Sequence, residues 1–279
     1  VSRGVISRTL AVVRELPEEL VLPAGAVPET PPDPPAPTRD AASVLLVRDG
    51  ERGLEVFLQR RVLGMAFAGG MTVFPGGGVD PRDADTSVEW SGPPPSWWAE
   101  RFGCAEEVAR ALVCAAVRET FEESGVLLAG PSASEVVADA GAYFAERRAL
   151  ERRELSLAAF LAGARLVLRA DLLRPWANWV TPVQEPRRYD TRFFTAALPE
   201  GQLADGVTSE ASDAVWQRPA DAIADWERGR RLLLPPTWVS LADLAELGSV
   251  AEVLSVEREV DRVIPKLVRD GDVVRVVLP

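Results

Sequence analysis

The stretch that decides the reading is Arg118-Glu119-Thr120-Phe121-Glu122-Glu123-Ser124-Gly125-Val126. Residues 105–124 favour a helix, and Gly125 stops it. Each helical residue advances by about 100°. Glu119, Glu122 and Glu123 therefore share one face, within an arc of roughly 100°, while Phe121 points nearly opposite, toward a core. Like charges at i,i+4 destabilise an isolated helix by roughly 0.2–0.5 kcal/mol per pair. The C-terminal end of a helix is also the wrong place for negative charge. One cluster thus breaks two local rules. A solvated acidic face is the bland reading; the sharper one is a bound divalent cation, which resolves both conflicts because hard oxygen donors suit Mg²⁺ or Mn²⁺.

Upstream lies Phe74-Pro75-Gly76-Gly77-Gly78-Val79-Asp80, with three consecutive glycines after a proline. Such a loop lets the backbone approach a phosphate or a metal closely. By itself it reads equally well as a tight turn.

Together these residues resemble the Nudix box: Gly, five residues, Glu, seven residues, then Arg-Glu-aliphatic-x-Glu-Glu-x-Gly-aliphatic. Arg118, Glu119, Glu122, Glu123, Gly125 and Val126 match its second half, and Pro75-Gly76-Gly77 stands at its proper place before it. There are three departures. Thr120 occupies the aliphatic position, Asp83 stands where Glu is usual, and residues 84–117 separate Asp83 from Arg118 instead of seven. A branch of the family with such an interruption includes mammalian peroxisomal coenzyme A diphosphatases. The chain resembles that branch also in Trp179-Val180-Thr181-Pro182, in residues 185–194 and in Leu234-Pro235-Pro236, so that the likeness spans roughly residues 41–247. A pattern that often precedes the box in coenzyme A enzymes is incomplete: Gly70 and Phe74-Pro75-Gly76-Gly77 fit, but Ala66 holds the arginine position.

The resemblance implies an α/β Nudix fold, a mixed β-sheet sandwiched between α-helices with helical and loop insertions. It implies metal-dependent hydrolysis of a diphosphate linkage in a small nucleotide-type substrate, with Mg²⁺ or Mn²⁺ as cofactor. Glu119, Glu122 and Glu123 are the implied metal ligands, joined by the carbonyl of Gly76, with Arg118 holding the glutamates by charge-assisted hydrogen bonds. The metal polarises phosphoryl oxygens and acidifies water, and a carboxylate takes the proton. Glu119, Glu122 and Glu210 all remain open as that base, Glu210 also as a further ligand. Gly77 is expected at the substrate. Arg187, Arg188 and Arg192 form a local basic group, either clamping phosphates or pairing with surplus carboxylates. Trp97, Trp98, Trp176 and Trp179 either stack on an adenine or anchor loops and core. Coenzyme A or an acyl derivative is the first choice of substrate. ADP-ribose, NADH and dinucleoside polyphosphates are the rivals within the family, and a non-catalytic Nudix-fold binding protein is the rival outside catalysis.

Composition narrows the field. The chain has 279 residues, 47% hydrophobic and 26% charged, enough apolar material for a sizeable core. Histidine is absent, which removes His-based triads and imidazole zinc sites. A net charge of −11 disfavours a broad nucleic-acid surface. Cys104 and Cys114 are too few for a disulfide framework or a thiolate metal site. No long apolar run suggests a membrane span and no leader pattern is visible, so a cytoplasmic protein is expected.

The expected organisation is an N-terminal segment over 1–40 with a proline-rich linker or strap at 23–37, a Nudix domain over 41–247, and an extension over 248–279 that completes a homodimer or caps the core. Residues 41–47 and 54–60 read as paired strands around a turn at 48–53, and 84–103 as an inserted loop. Residues 131–162 read as helical, 165–169, 193–197 and 215–216 as strands, 219–230 and 237–247 as helices, and 273–278 as a final strand.

Overall fold

The computed structural model describes residues 16–17, 20–23, 32–65, 68–271 and 273–278. Most of the N-terminal segment, much of the proline-rich stretch and Ala66 lie outside the described residues. Along the chain run β1 (Val21–Pro23), β2 (Thr38–Gly50), β3 (Gly53–Arg61), β4 (Thr72–Val73), β5 (Gly76–Gly78), β6 (Trp90–Ser91), α1 (Pro95–Phe102), α2 (Glu106–Ser124) and β7 (Ala129–Gly130). They are followed by α3 (Phe144–Glu151), α4 (Leu157–Ala164), β8 (Val167–Arg169), β9 (Leu173–Val180), β10 (Arg188–Ala197), β11 (Ala211–Gln217), α5 (Pro219–Glu227), α6 (Pro235–Leu244) and α7 (Val250–Ser255). The chain closes with β12 (Arg262–Val263), β13 (Lys266–Asp270) and β14 (Val273–Val277).

The main sheet is mixed, in the order β11-β3-β2-β10-β9-β12, with β10 parallel to β2. Strand β2 is apolar on both faces because both are covered. Ala42, Val44 and Leu46 face α1, α2 and α4, whereas Leu45 and Val47 face α5, α6 and α7. This gives the α/β sandwich implied by the resemblance. No helix among the described residues is long and apolar enough to cross a membrane.

The interruption of the box differs from the expected loop. Residues 84–103 contain β6 and α1, and Trp98 of α1 is fully buried against Phe102 and Phe194, with ring centroids 6.0 and 5.5 Å away. Pro94 and Pro95, which read as breakers, are the N-cap and first residue of α1, where a missing N–H leaves nothing unsatisfied. Strand β9 escaped the sequence reading because Pro175 sits inside it. The register of β9 with β10 shifts between Phe193 and Phe194, the irregularity that accommodates that proline. Over 131–162 only 144–151 and part of α4 are α-helical. Asp139 instead accepts from the Gly141 N–H in a local turn. Within the extension, Val253 and Val263 are buried, β12 pairs with β9, and β13 and β14 form a small sheet with β1.

Candidate active site

Strands β2 and β3 pair only over Val47–Gly50; nearer its start, at Ala41–Ser43, β2 pairs with β5 instead. The glycine strand thus lies in the splay between them, and there is no room for a side chain on its inner face. A Cβ on Gly76 would lie 2.4 Å from the Ala42 carbonyl oxygen, and one on Gly77 would lie 2.6 Å from the Glu119 carboxylate. The end of α2 is drawn over the splay by three ties. The Gly76 N–H donates to Glu123 Oε2 (2.9 Å) and Gln59 Nε2 donates to the Glu123 carbonyl (2.8 Å). Arg147 Nε donates to the Glu122 carbonyl (3.0 Å), placing a buried cation at the negative end of the helix dipole. Gly125 makes this possible: its φ is +75°, and a Cβ there would meet Arg147 Nη1 at 2.7 Å.

Arg118 is the hub. Its Nη1 donates to Glu119 Oε1 (2.7 Å) and Glu122 Oε1 (3.2 Å). Its Nε donates to Asp83 Oδ1 (3.0 Å), and Nη2 donates to Asp83 Oδ2 (2.9 Å) and to the Gly78 carbonyl (3.0 Å). Asp83, fully buried, therefore orients Arg118 despite its shorter side chain and the long interruption that follows it. Thr120, in the usually aliphatic position, is accommodated because its Oγ1 donates to the Ala116 carbonyl (2.7 Å) within the helix.

Glu119, Glu122 and Glu123 are all held in their protonated forms more than free glutamate is. Burial raises each, with Glu119 adding repulsion to the other two; Glu122 is pushed up to about 7. Burial works against the charge on Arg118, but Glu119 and Asp83 more than offset it. Among the described residues no three Asp, Glu or Cys side chains converge as a finished metal cage. The donor set still fits a hard divalent cation: three carboxylates, oxygen donors only, one buried and two half-buried, held near one another against their own repulsion.

Of these groups Glu119, Gly76, Gly77 and Gly78 line a cavity of about 400 Å³, together with Arg61 and Glu210. Arg61 bridges two of the carboxylates, its Nη2 2.9 Å from Glu210 and its Nη1 4.0 Å from Glu123. The lining also has many apolar residues, among them Trp179, Phe193, Pro235, Leu267 and Val276. Three separated stretches that carried the resemblance, 179–182, 185–194 and 234–236, all contribute to it.

The structure does not bring the three arginines of 187–192 to this cavity. Residues on a strand alternate faces. Tyr189, Thr191 and Phe193 line the cavity, so Arg192 points the other way and is buried against Asp40 (2.7 Å) and Asp190 (2.9 Å). Arg188 donates to the carbonyls of Thr181 (3.1 Å) and Ala36 (2.8 Å), and Arg187 is exposed outside the lining. Of the four tryptophans, Trp179 alone lines the cavity. Trp98 is core, Trp97 carries Arg101, and Trp176 carries Arg258. Sequence reading missed the roles of Arg61 and Arg147. Arg61 carried a faint signal in standing near the incomplete pattern, whereas Arg147 carried none.

With this geometry the family comparison is direct. The NUDT19 Nudix domain matches residues 101–244, more than half of the chain, and the chain belongs to this family of Nudix hydrolases. Acyl-coenzyme A diphosphatase NUDT19 of Xenopus laevis is 25% identical over 238 residues, covering 71% of this chain. The human protein of the same name is 29% identical over 279 residues, covering 84% of this chain and 69% of its own length. The chain spans 62% and 61% of the length of two of its curated relatives. Among solved structures, a NUDIX hydrolase from Alicyclobacillus acidocaldarius superposes with a TM-score of 0.62 at 28% identity, covering 80% of this chain and 98% of its own.

Proposed function

We propose that the protein hydrolyses the diphosphate linkage of coenzyme A or acyl-coenzyme A, giving 3′,5′-ADP and (acyl-)4′-phosphopantetheine. The observation that carries this reading is the mixed lining of the cavity, which joins Glu119, Gly76 and Gly77 with apolar Trp179, Phe193, Leu267 and Val276. A diphosphate suits the glycine and glutamate groups, and an uncharged arm suits the apolar ones. The relatives named acyl-coenzyme A diphosphatase favour the same substrate class.

Glu119, Glu122 and Glu123, with the Gly76 carbonyl, are the groups that would hold a divalent cation. Mg²⁺ or Mn²⁺ bound there polarises the phosphoryl oxygens and acidifies water. Arg118 orients Glu119 and Glu122 while Asp83 and the Gly78 carbonyl fix Arg118 itself. Gly77 lets the substrate backbone-side approach remain free of any side chain. The proton passes to Glu119, Glu122 or Glu210, which a pH–rate profile of single Gln variants distinguishes. Arg61 tethers Glu210 beside Glu123.

The test is product analysis by mass spectrometry after incubation with Mg²⁺ or Mn²⁺ and a mixture of coenzyme A, ADP-ribose, NADH and diadenosine polyphosphates. Release of 3′,5′-ADP and 4′-phosphopantetheine is expected. Cleavage of another member alone would keep the chemistry and discard coenzyme A. No cleavage with either metal would favour a binding protein.

A further inference from the structure

Five charged side chains line the cavity: Arg61, Glu119, Arg153, Glu185 and Glu210. Three are acidic, in a chain whose net charge is −11, so an anionic substrate needs a cation that is free to meet it. Arg61 is already engaged by Glu210 and Glu123. Among the described residues the Arg153 guanidinium has no hydrogen-bond or ion-pair partner, and Arg153 is exposed at the cavity's rim.

The backbone at this position is held unusually firmly. Arg153 has φ +59°, a left-handed conformation that favours glycine. It follows the C-terminus of α3, where the Arg153 N–H donates to the Leu150 carbonyl (2.7 Å) and the Glu154 N–H to the Ala149 carbonyl (2.8 Å). This is the Schellman arrangement, in which the left-handed residue is usually Gly. Its own carbonyl accepts from Arg82 Nη1 (3.2 Å), and Arg82 is clamped on Asp80, at the end of the glycine loop. A free cation is thus fixed by its main chain to the segment that carries Gly76–Gly78.

We propose that Arg153 is a specificity-determining residue that takes a phosphate monoester of the substrate at the rim of the cavity, a group other than the diphosphate that is cut. This rests on the nucleotide-substrate reading above, but its test does not need turnover. The chain supplies its own control. Arg165, after α4, is also left-handed (φ +56°) and exposed, yet lies outside the cavity lining. Arg153→Gly and Arg165→Gly should both keep or raise the melting temperature, since glycine relieves the same backbone conformation.

The probe is 3′,5′-ADP, with binding measured by calorimetry at low and high salt. Arg153→Gly is expected to weaken binding by roughly ten-fold or more, as loss of a charge-assisted hydrogen bond does, and to flatten its salt dependence. KM for coenzyme A should rise with kcat unchanged, Arg153→Lys should recover part of the loss, and Arg165→Gly should match wild type. Equal binding by Arg153→Gly and wild type, or no binding by wild type, would overturn the proposal. Binding that depends on Arg153 in a protein that leaves coenzyme A uncut would uphold the phosphate contact and discard coenzyme A as the substrate.

Discussion

Gly76 and Gly77 are neighbours with different reasons for being glycine, and substitution should separate them. A Cβ on Gly76 would press on the backbone of Ala42 and Ser43, which cannot yield without disturbing β2. Gly76→Ala should therefore destabilise the protein by about 1–3 kcal/mol, the usual cost of overpacking, read as a lower denaturation midpoint. A Cβ on Gly77 would meet first the end of the Glu119 side chain, which can swing aside. Gly77→Ala should leave the midpoint nearly unchanged and still lower activity, because the displaced carboxylate is a proposed ligand. Similar losses of stability in both would show that Gly77 too is there for packing. Glu123→Gln makes the complementary case. The amide oxygen can still accept from the Gly76 N–H, and one repelling charge disappears. Turnover should fall by more than about 100-fold, the upper end of what losing a mere outer partner of a metal ligand costs, with no loss of melting temperature. Retained turnover would remove Glu123 from the metal site.

Helix α1 is the element where sequence and structure part most clearly. Its triple proline and paired tryptophans carry no period, and nothing local says that Trp98 reaches Phe194 of β10 across the core. Trp98→Ala should cost about 3–5 kcal/mol, as for a buried aromatic; a surface-loop tryptophan would cost a fraction of that in a denaturant melt. By contrast β2, β3 and α2 were legible. Residues 41–47 form a run apolar on both faces, and residues 118–126 unite helix period, acidic cluster and stop signal in one segment. Strand β10 was legible in part. Residues 193–197 read as a strand, but which face borders the cavity is decided by β9 and α6, which lie outside that segment. The candidate site divides in the same way. Its glutamates and glycines lie in two short segments, whereas Asp83–Arg118, Arg147–Glu122 and Arg61–Glu210 are contacts that only tertiary structure creates.

For the molecule as a whole, the consequence is a fold that keeps one carboxylate buried and two more largely withdrawn from water in an already acidic chain. Groups whose pKa is raised on folding stabilise the native state at low pH and lose that contribution as pH rises through the shifted value. Glu119 and Glu123 are raised, and Glu122 goes from 4.5 to about 7. Asp80, Asp171 and Asp225 shift the other way, and their contribution is complete once the unfolded carboxyls have ionised, so they do not oppose the trend above that point. The metal-free protein should therefore melt at a lower temperature near pH 7 than near pH 5. A divalent cation should reverse the trend, because it binds the deprotonated carboxylates and competes with protons. Its gain in melting temperature should be large near pH 7 and small near pH 5. Thermal melts in chelator and in excess Mg²⁺ or Mn²⁺ at the two pH values decide this. A metal-free midpoint that holds steady or rises with pH would mean that the glutamates are solvated after all. A cation gain equal at both pH values would place the bound metal away from α2.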